Sequence, residues 1–182
     1  MITNEIPGKP AVAATFSPGQ TVGESFTLKQ KLSTGDPGAP GGDLGIPWLA
    51  HDSESGKDVS LLFLPAALLG DARVMEELRA QVKLNRQLIH PHVLRTHDFI
   101  EEEGWAAISS DPVEADTLAS LLEKQKNGAF DPSQAQAWLS SVCQTLDDAH
   151  RAGLLHRDLV PRNILLAKDG KVLVANFGIS RI

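Results

Sequence analysis

The chain has a single cysteine, Cys143, which excludes an intrachain disulfide and a thiolate metal cluster. It lies within AQAWLSSVCQTLDDAH, on the apolar side of an expected helix, and reads as a packed core thiol. No apolar run reaches the roughly eighteen residues that a membrane helix needs. The N-terminus, MITNEIPGKP, lacks the basic start and apolar stretch of a secretory signal. These absences set the expectation of a cytoplasmic segment without membrane contact. There is no strong basic cluster, and a net charge of -6 offers neither nucleic acid nor an anionic membrane an attractive field. The six histidines do not compose a metal site. His90 and His92 flank Pro91, His97 follows on an expected strand, and His150 and His156 surround a turn, so no metal is expected.

What is present is enough for one ordinary domain or two small lobes: 182 residues, 42% hydrophobic and 22% charged. Residues 1–25 mix Pro, Gly, Thr and Ala without a stable period and read as a flexible leader. FTLKQKL, WLAHD and DVSLLFL then read as strands, the first two separated by the Gly/Pro-rich STGDPGAPGGDLGIP, which cannot hold a ladder. The period changes in LGDARVMEELRAQVKLNRQLIHP, where Met75, Leu78, Val82 and Leu88 share one side of a helix that Pro91 stops. VLRTHDFI and GWAAISS supply two more strands. Residues 26–112 therefore predict a five-stranded antiparallel sheet with one inserted helix.

The remainder, 113–182, reads as mainly helical. DTLASLLEKQ is a short amphipathic helix. In FDPSQAQAWLSSVCQTLDDAHRAG, Asp131 caps the first turn, Pro132 fits the first helical position, and Leu139, Val142, Leu146 and Ala149 repeat along one face. NILLAKDGKVLVAN is two apolar strands around an Asp-Gly turn. The fold class is α+β.

In LLHRDLVPRNILL, His156, Arg157, Asp158 and Leu159, with Asn163 spaced behind them, resemble the catalytic loop of the eukaryotic-type Ser/Thr protein kinase family. The hairpin that follows leads into Asn176, Phe177 and Gly178, where that family has Asp-Phe-Gly. LIHPHVLRTHDF resembles the stretch after the inserted helix, and DPVEADTLASLL resembles the hinge. The resemblance covers roughly residues 26–182, is closest to bacterial members, and implies a kinase-like N-lobe followed by a partial helical C-lobe. It also implies that the family's domain continues beyond the hairpin. The helix face carrying Leu139 and Leu146 would then be covered by another protein chain, with a homodimer through that face as the expected partner.

Residue by residue, the resemblance places Asp158 as the catalytic base and Asn163 as a metal-holding amide. Ser60, Leu62, Ser110, Val113, Leu165 and Asn176 fall around the nucleotide cleft. Several matches depart from the family pattern. Leu62 occupies the phosphate-gripping lysine position and Gln81 that of its glutamate partner. Asn176 stands where the metal-binding aspartate is expected, and Val160 replaces a lysine near the transferred phosphate. Ser33, Gly35 and Gly45 take the places of the three glycines of the phosphate loop, and Pro47 that of the valine roofing the adenine. Phosphoryl transfer depends on positioning and charge neutralisation, so these losses predict a catalytically inactive pseudokinase, acting through protein contacts and without a cofactor. Two alternatives stand beside that expectation. One is a non-catalytic module binding ATP, without a requirement for Mg²⁺, or another small molecule. The other is a weak ATP-dependent Ser/Thr kinase drawing a cation from elsewhere, with Lys83 a distant candidate.

Overall fold

The computed structural model describes residues 15–32, 45–125 and 128–179. Its first sheet runs β1 (Thr21–Val22), β2 (Phe26–Lys31), β3 (Ile46–Asp52), β4 (Lys57–Phe63), then β6 (Trp105–Ser110) and β5 (Thr96–Glu102) at the far edge. Every pairing is antiparallel. The sheet has six strands rather than the expected five. The added strand comes from the stretch read as leader, where Thr21 and Val22 pair with Thr27 and Phe26. Phe16, further upstream, stacks on Phe63 with ring centroids 3.9 Å apart and meets the edge of Trp105.

Strict alternation in β4 decides which side chains face the cleft. Val59, Leu61 and Phe63 point into a cluster with Val22, Leu28, Trp48 and Ala50, whereas Ser60 and Leu62 point the other way. Gly45 is required where β3 begins, because a Cβ there would lie 1.9 Å from the Phe63 carbonyl oxygen. Ser33 and Gly35 of the expected phosphate loop lie outside the described residues.

A short turn of helix, α1 (Ala66–Leu69), precedes α2 (Ala72–Asn85), which Asp71 caps by accepting from the amides of Arg73 and Val74. Met75, Leu78 and Val82 of α2 pack with Leu64, Ala106, Ile108 and Ile179, and Leu62 leans on the same cluster. The helix stops at Asn85, several residues before Pro91. Two amide–carbonyl bonds, Leu94 to Val174 and Val174 to His92, then stitch the following segment to the second sheet.

That sheet is β7 (Ala115–Thr117), β8 (Ile164–Ala167) and β9 (Val172–Val174). It sits beside α3 (Leu118–Glu123) and α4 (Pro132–Arg151). Asp131 caps α4 as its position predicts, accepting from Ser133 and Gln134. The buried stripe of α4 is Trp138, Val142, Thr145 and Ala149. The expected stripe is therefore rotated. Leu146 leans on the core, while Leu139 is 54% exposed, so of these two leucines Leu139 is the more open to a partner. Cys143 is exposed and is not the packed core thiol expected, because it lies one residue, about 100°, past Val142 around the helix. Among the described residues no helix is long and apolar enough to cross a membrane.

Candidate active site

Two backbone bonds weld the HRDL segment and the turn behind it to the strand end that carries Asn176, and a third closes the turn. Ala175 donates to the Asn163 carbonyl, Gly178 donates to the His156 carbonyl, and Asn163 closes its own turn by donating to Val160. The turn is a 3-10 helix over Pro161–Asn163, whose proline supplies the fixed φ of a first helical position. Arg157 and Asn176 both have a φ of 63°, a left-handed conformation that asparagine tolerates better than arginine.

His156 is 3% exposed and anchors the loop from beneath. Its Nε2 lies 2.9 Å from the Ala175 carbonyl, and its Nδ1 lies 3.4 Å from the Asp158 amide nitrogen. Both contacts are satisfied when Nε2 carries the proton and Nδ1 accepts. Burial pushes the pKa of His156 below the usual 6.5. An unfolded chain would therefore take up a proton that the folded one resists. Stability from this residue should be complete above the unfolded pKa and fall as pH drops through about 6.5, by at most about 1.4 kcal/mol per pH unit. Urea titrations at several pH values should show this slope, and His156→Gln should lack it; equal slopes in both proteins would contradict the assignment.

Asp158 is largely covered, with a side chain 12% exposed. One of its carboxylate oxygens accepts from Asn163 Nδ2 at 3.3 Å and from Arg162 at 3.1 Å. The same Asn163 amide donates to the Asp158 backbone carbonyl at 2.9 Å, and its oxygen accepts from Asn176 Nδ2 at 3.0 Å. Asp158, Asn163 and Asn176 are thus brought into one array, as the motif spacing predicts. Asn163, 1% exposed, is its hub.

The other cleft residues are sorted by the sheet. Ser60 and Val113 line a cavity of about 230 Å³ together with Leu32, Pro47, Leu94, Asp111, Glu114 and Ala115. Ser110 is the cross-strand partner of Ser60. Leu165 is fully buried in a cluster that Leu94, Val113 and Ala115 pack against. Leu62 faces the same way as Ser60 but is absorbed by the apolar cluster of α2.

Gln81 is 8% exposed and donates to Asn85 Oδ1 at 3.2 Å; the Asn85 amide then donates to the Phe177 carbonyl at 2.8 Å. A Cβ on Gly178, whose φ is 65°, would lie 2.6 Å from the Gln81 side chain. An uncharged amide relay therefore ties α2 to the Asn176–Gly178 turn. Asn85 escaped the sequence reading although it stands one helical turn from Gln81, a spacing that puts both on one face. Asn85→Leu should cost about 2–4 kcal/mol in urea denaturation, because it strands two buried polar groups. A loss under about 0.5 kcal/mol would mean that the relay does not hold the helix.

The residues present fit the two parts of a metal–nucleotide complex unequally. The cavity is walled by Leu32, Pro47, Leu94, Val113 and Ala115 together with the polar Ser60, Asp111 and Glu114, and its volume is nearer that of a planar heterocycle than of a whole drug-like ligand. A magnesium ion seeks carboxylate oxygens in near-ideal octahedral geometry. Here two amides and one carboxylate converge, and the carboxylate is already engaged by Arg162. Among the described residues no group of three or more His, Cys, Asp or Glu side chains could hold a metal ion. The cavity has room for a flat ring, and the Asp158–Asn163–Asn176 array would offer a magnesium ion a single carboxylate.

The protein kinase domain model matches residues 48–182. This chain belongs to the protein kinase family. Serine/threonine-protein kinase PknA of Mycobacterium tuberculosis is 30% identical over 90% of the chain, which spans 37% of that relative. Serine/threonine-protein kinase Nek1 of Mus musculus is 29% identical over 87% of the chain, which spans 13% of it. The kinase domain of Mycobacterium tuberculosis PknI superposes with a TM-score of 0.79 at 26% identity, covering 91% of the chain and 64% of that domain. The chain thus spans only about a third of PknA. The expectation that this kinase-family chain is not an enzyme is overturned. Its relatives and its fold are those of Ser/Thr protein kinases, which are enzymes, and the substitutions at Leu62, Gln81, Asn176 and Val160 do not by themselves show inactivity.

Proposed function

We propose that this chain is an ATP-dependent serine/threonine kinase unit of low turnover that does not depend strictly on magnesium. The observation that carries the reading is the Asp158 carboxylate, held by Asn163 and Arg162 in one array with Asn176. Adenine would enter the cavity between Pro47 and Ser60 above and Val113 beside them, over a floor supported by Leu165. In the transfer itself, the substrate hydroxyl oxygen forms a bond to the terminal phosphorus. The bond from that phosphorus to the ADP oxygen breaks, ADP leaves, and the hydroxyl proton passes to Asp158.

Low turnover follows from Leu62. A leucine supplies no charge to the phosphates, and its side chain belongs to the apolar cluster of α2. Positioning by Asp158 and Asn163 remains, and positioning alone supplies a large part of many rate enhancements. The test is incubation of the chain with γ-labelled ATP and casein, with Mg²⁺ or with EDTA. Slow labelling of serine or threonine under both conditions is expected. Absence of labelling, together with no ATP binding by calorimetry, would refute the proposal.

A further inference from the structure

We propose that a hollow beside the 111–113 segment, separate from the cleft cavity, is a docking site for an acidic peptide segment of a partner protein, anchored by one aliphatic side chain. The hollow measures about 260 Å³. Ile89, Pro91 and Val93 line it from the segment after α2, and Lys171 and Leu173 line it from the start of β9, two positions apart and so on one face of the strand. Leu94, Asp111 and Val113 line both this hollow and the cleft cavity and form a wall between them, whereas Ile89, Arg95, Lys171 and Leu173 do not line the cleft cavity. A peptide seated here would not occupy the cleft, so the site does not depend on nucleotide.

Ile89 is 74% exposed. One exposed aliphatic residue means little by itself, but this one borders an apolar hollow that also carries two cations. Among the described residues neither Arg95 nor Lys171 makes an ion pair, whereas the nearby Arg86 and Lys168 do, with Asp98 and Glu114. The acids around them are engaged elsewhere. Asp111 lies 2.7 Å from His97 Nε2, and Asp169 accepts from the Lys171 backbone amide at 3.0 Å. On a chain with a net charge of -6, two uncompensated cations at one apolar hollow are a local reversal of sign. Complementarity then selects the occupant: the walls take a Leu, Ile or Val side chain, and Arg95 and Lys171 take the carboxylates beside it. The volume falls just under the usual range for a whole small-molecule ligand and suits a side chain with its flanking backbone.

The experiment is selection of a phage-displayed library of short random peptides against the full chain, followed by fluorescence titration of the most enriched peptide. Enriched peptides should carry Leu, Ile or Val beside Asp or Glu. Arg95→Glu and Lys171→Glu should each weaken that peptide about tenfold, the scale of a hydrogen bond between charged groups. Ile89→Ser should weaken it about tenfold as well, through the lost apolar contact. All three side chains are exposed, so the thermal midpoint should stay close to that of the wild type. Reversing both charges together should turn the selection toward Lys or Arg beside the aliphatic residue, which loss of folding would not produce. Enrichment of no common pattern, of peptides without acid, or of a peptide that all three variants bind within about twofold of wild type overturns the assignment. Tighter binding by a synthetic peptide of residues 1–14 also overturns it, giving the hollow to the chain's own N-terminal segment. Self-association that Ile89→Ser abolishes in light scattering, without peptide binding, overturns it in favour of a second copy.

Discussion

Asp158→Asn should lower phosphate transfer from ATP by about 10²–10⁴-fold, the range associated with a positioned general base, while leaving ATP binding equal or slightly tighter. The substitution keeps shape and keeps an oxygen that can accept from Asn163 and Arg162, so the loop should hold. What disappears is the negative charge, the only carboxylate in the Asp158–Asn163–Asn176 array. Removing it also takes away repulsion toward the phosphates. The thermal midpoint should stay within a few degrees of wild type, since the Arg162 pair is partly solvated and such pairs contribute little. Initial rates with labelled ATP, alongside calorimetry, separate the two effects. Unchanged turnover would remove Asp158 from the chemistry and reduce it to a partner of Asn163.

The contrast between Asp158 and Arg162 shows which parts of the site were open to a reader of the sequence. The grouping of Asp158, Asn163 and Asn176 was legible because it depends on spacing, and spacing is preserved when a loop is welded to its neighbours by backbone bonds. Arg162 sits inside the same motif yet carried no signal. Its contact with Asp158 comes from the direction of one side chain across a 3-10 turn, which spacing does not encode. Asn85 was missed for a related reason: a polar residue on a helix reads as solvated until the turn at Phe177 closes over it. In the fold, β4 was plain from its alternation, whereas β1 is two residues long and exists only because Phe26 and Thr27 offer an edge to pair with. The rotation of α4 was lost because Thr145, 1% exposed, belongs to the buried stripe. Its hydroxyl is satisfied by the Ser141 carbonyl at 2.7 Å, which lets a polar residue sit where an apolar one was expected.

Leu62 and Gln81 together explain how a kinase fold keeps its inserted helix in place without an ion pair. An unpaired charge in that setting is costly, whereas an apolar side chain against Met75 and Leu78 with an amide relay through Asn85 satisfies every group. The helix is consequently held by packing and neutral hydrogen bonds.

That arrangement predicts a strongly non-additive cycle. Leu62→Lys alone should destabilise the chain by about 1–3 kcal/mol, because the ammonium must leave the apolar cluster or remain there unpaired. Gln81→Glu alone should cost a comparable amount, since a carboxylate oxygen would face Asn85 Oδ1 and disturb the bond to Phe177. Combined, the two charges can meet, and the double variant should recover at least about 1 kcal/mol relative to the sum, within the usual range for coupled neighbours. It should also bind ATP about tenfold more tightly than wild type, because a lysine held at the cleft adds a charge-assisted bond to phosphate. Urea denaturation of the four proteins reads the coupling, and calorimetry reads the affinity. Strict additivity would place residues 62 and 81 out of reach of each other. Coupling without any gain in ATP affinity would instead show that the phosphates do not lie along the Ser60–Leu62 face of β4.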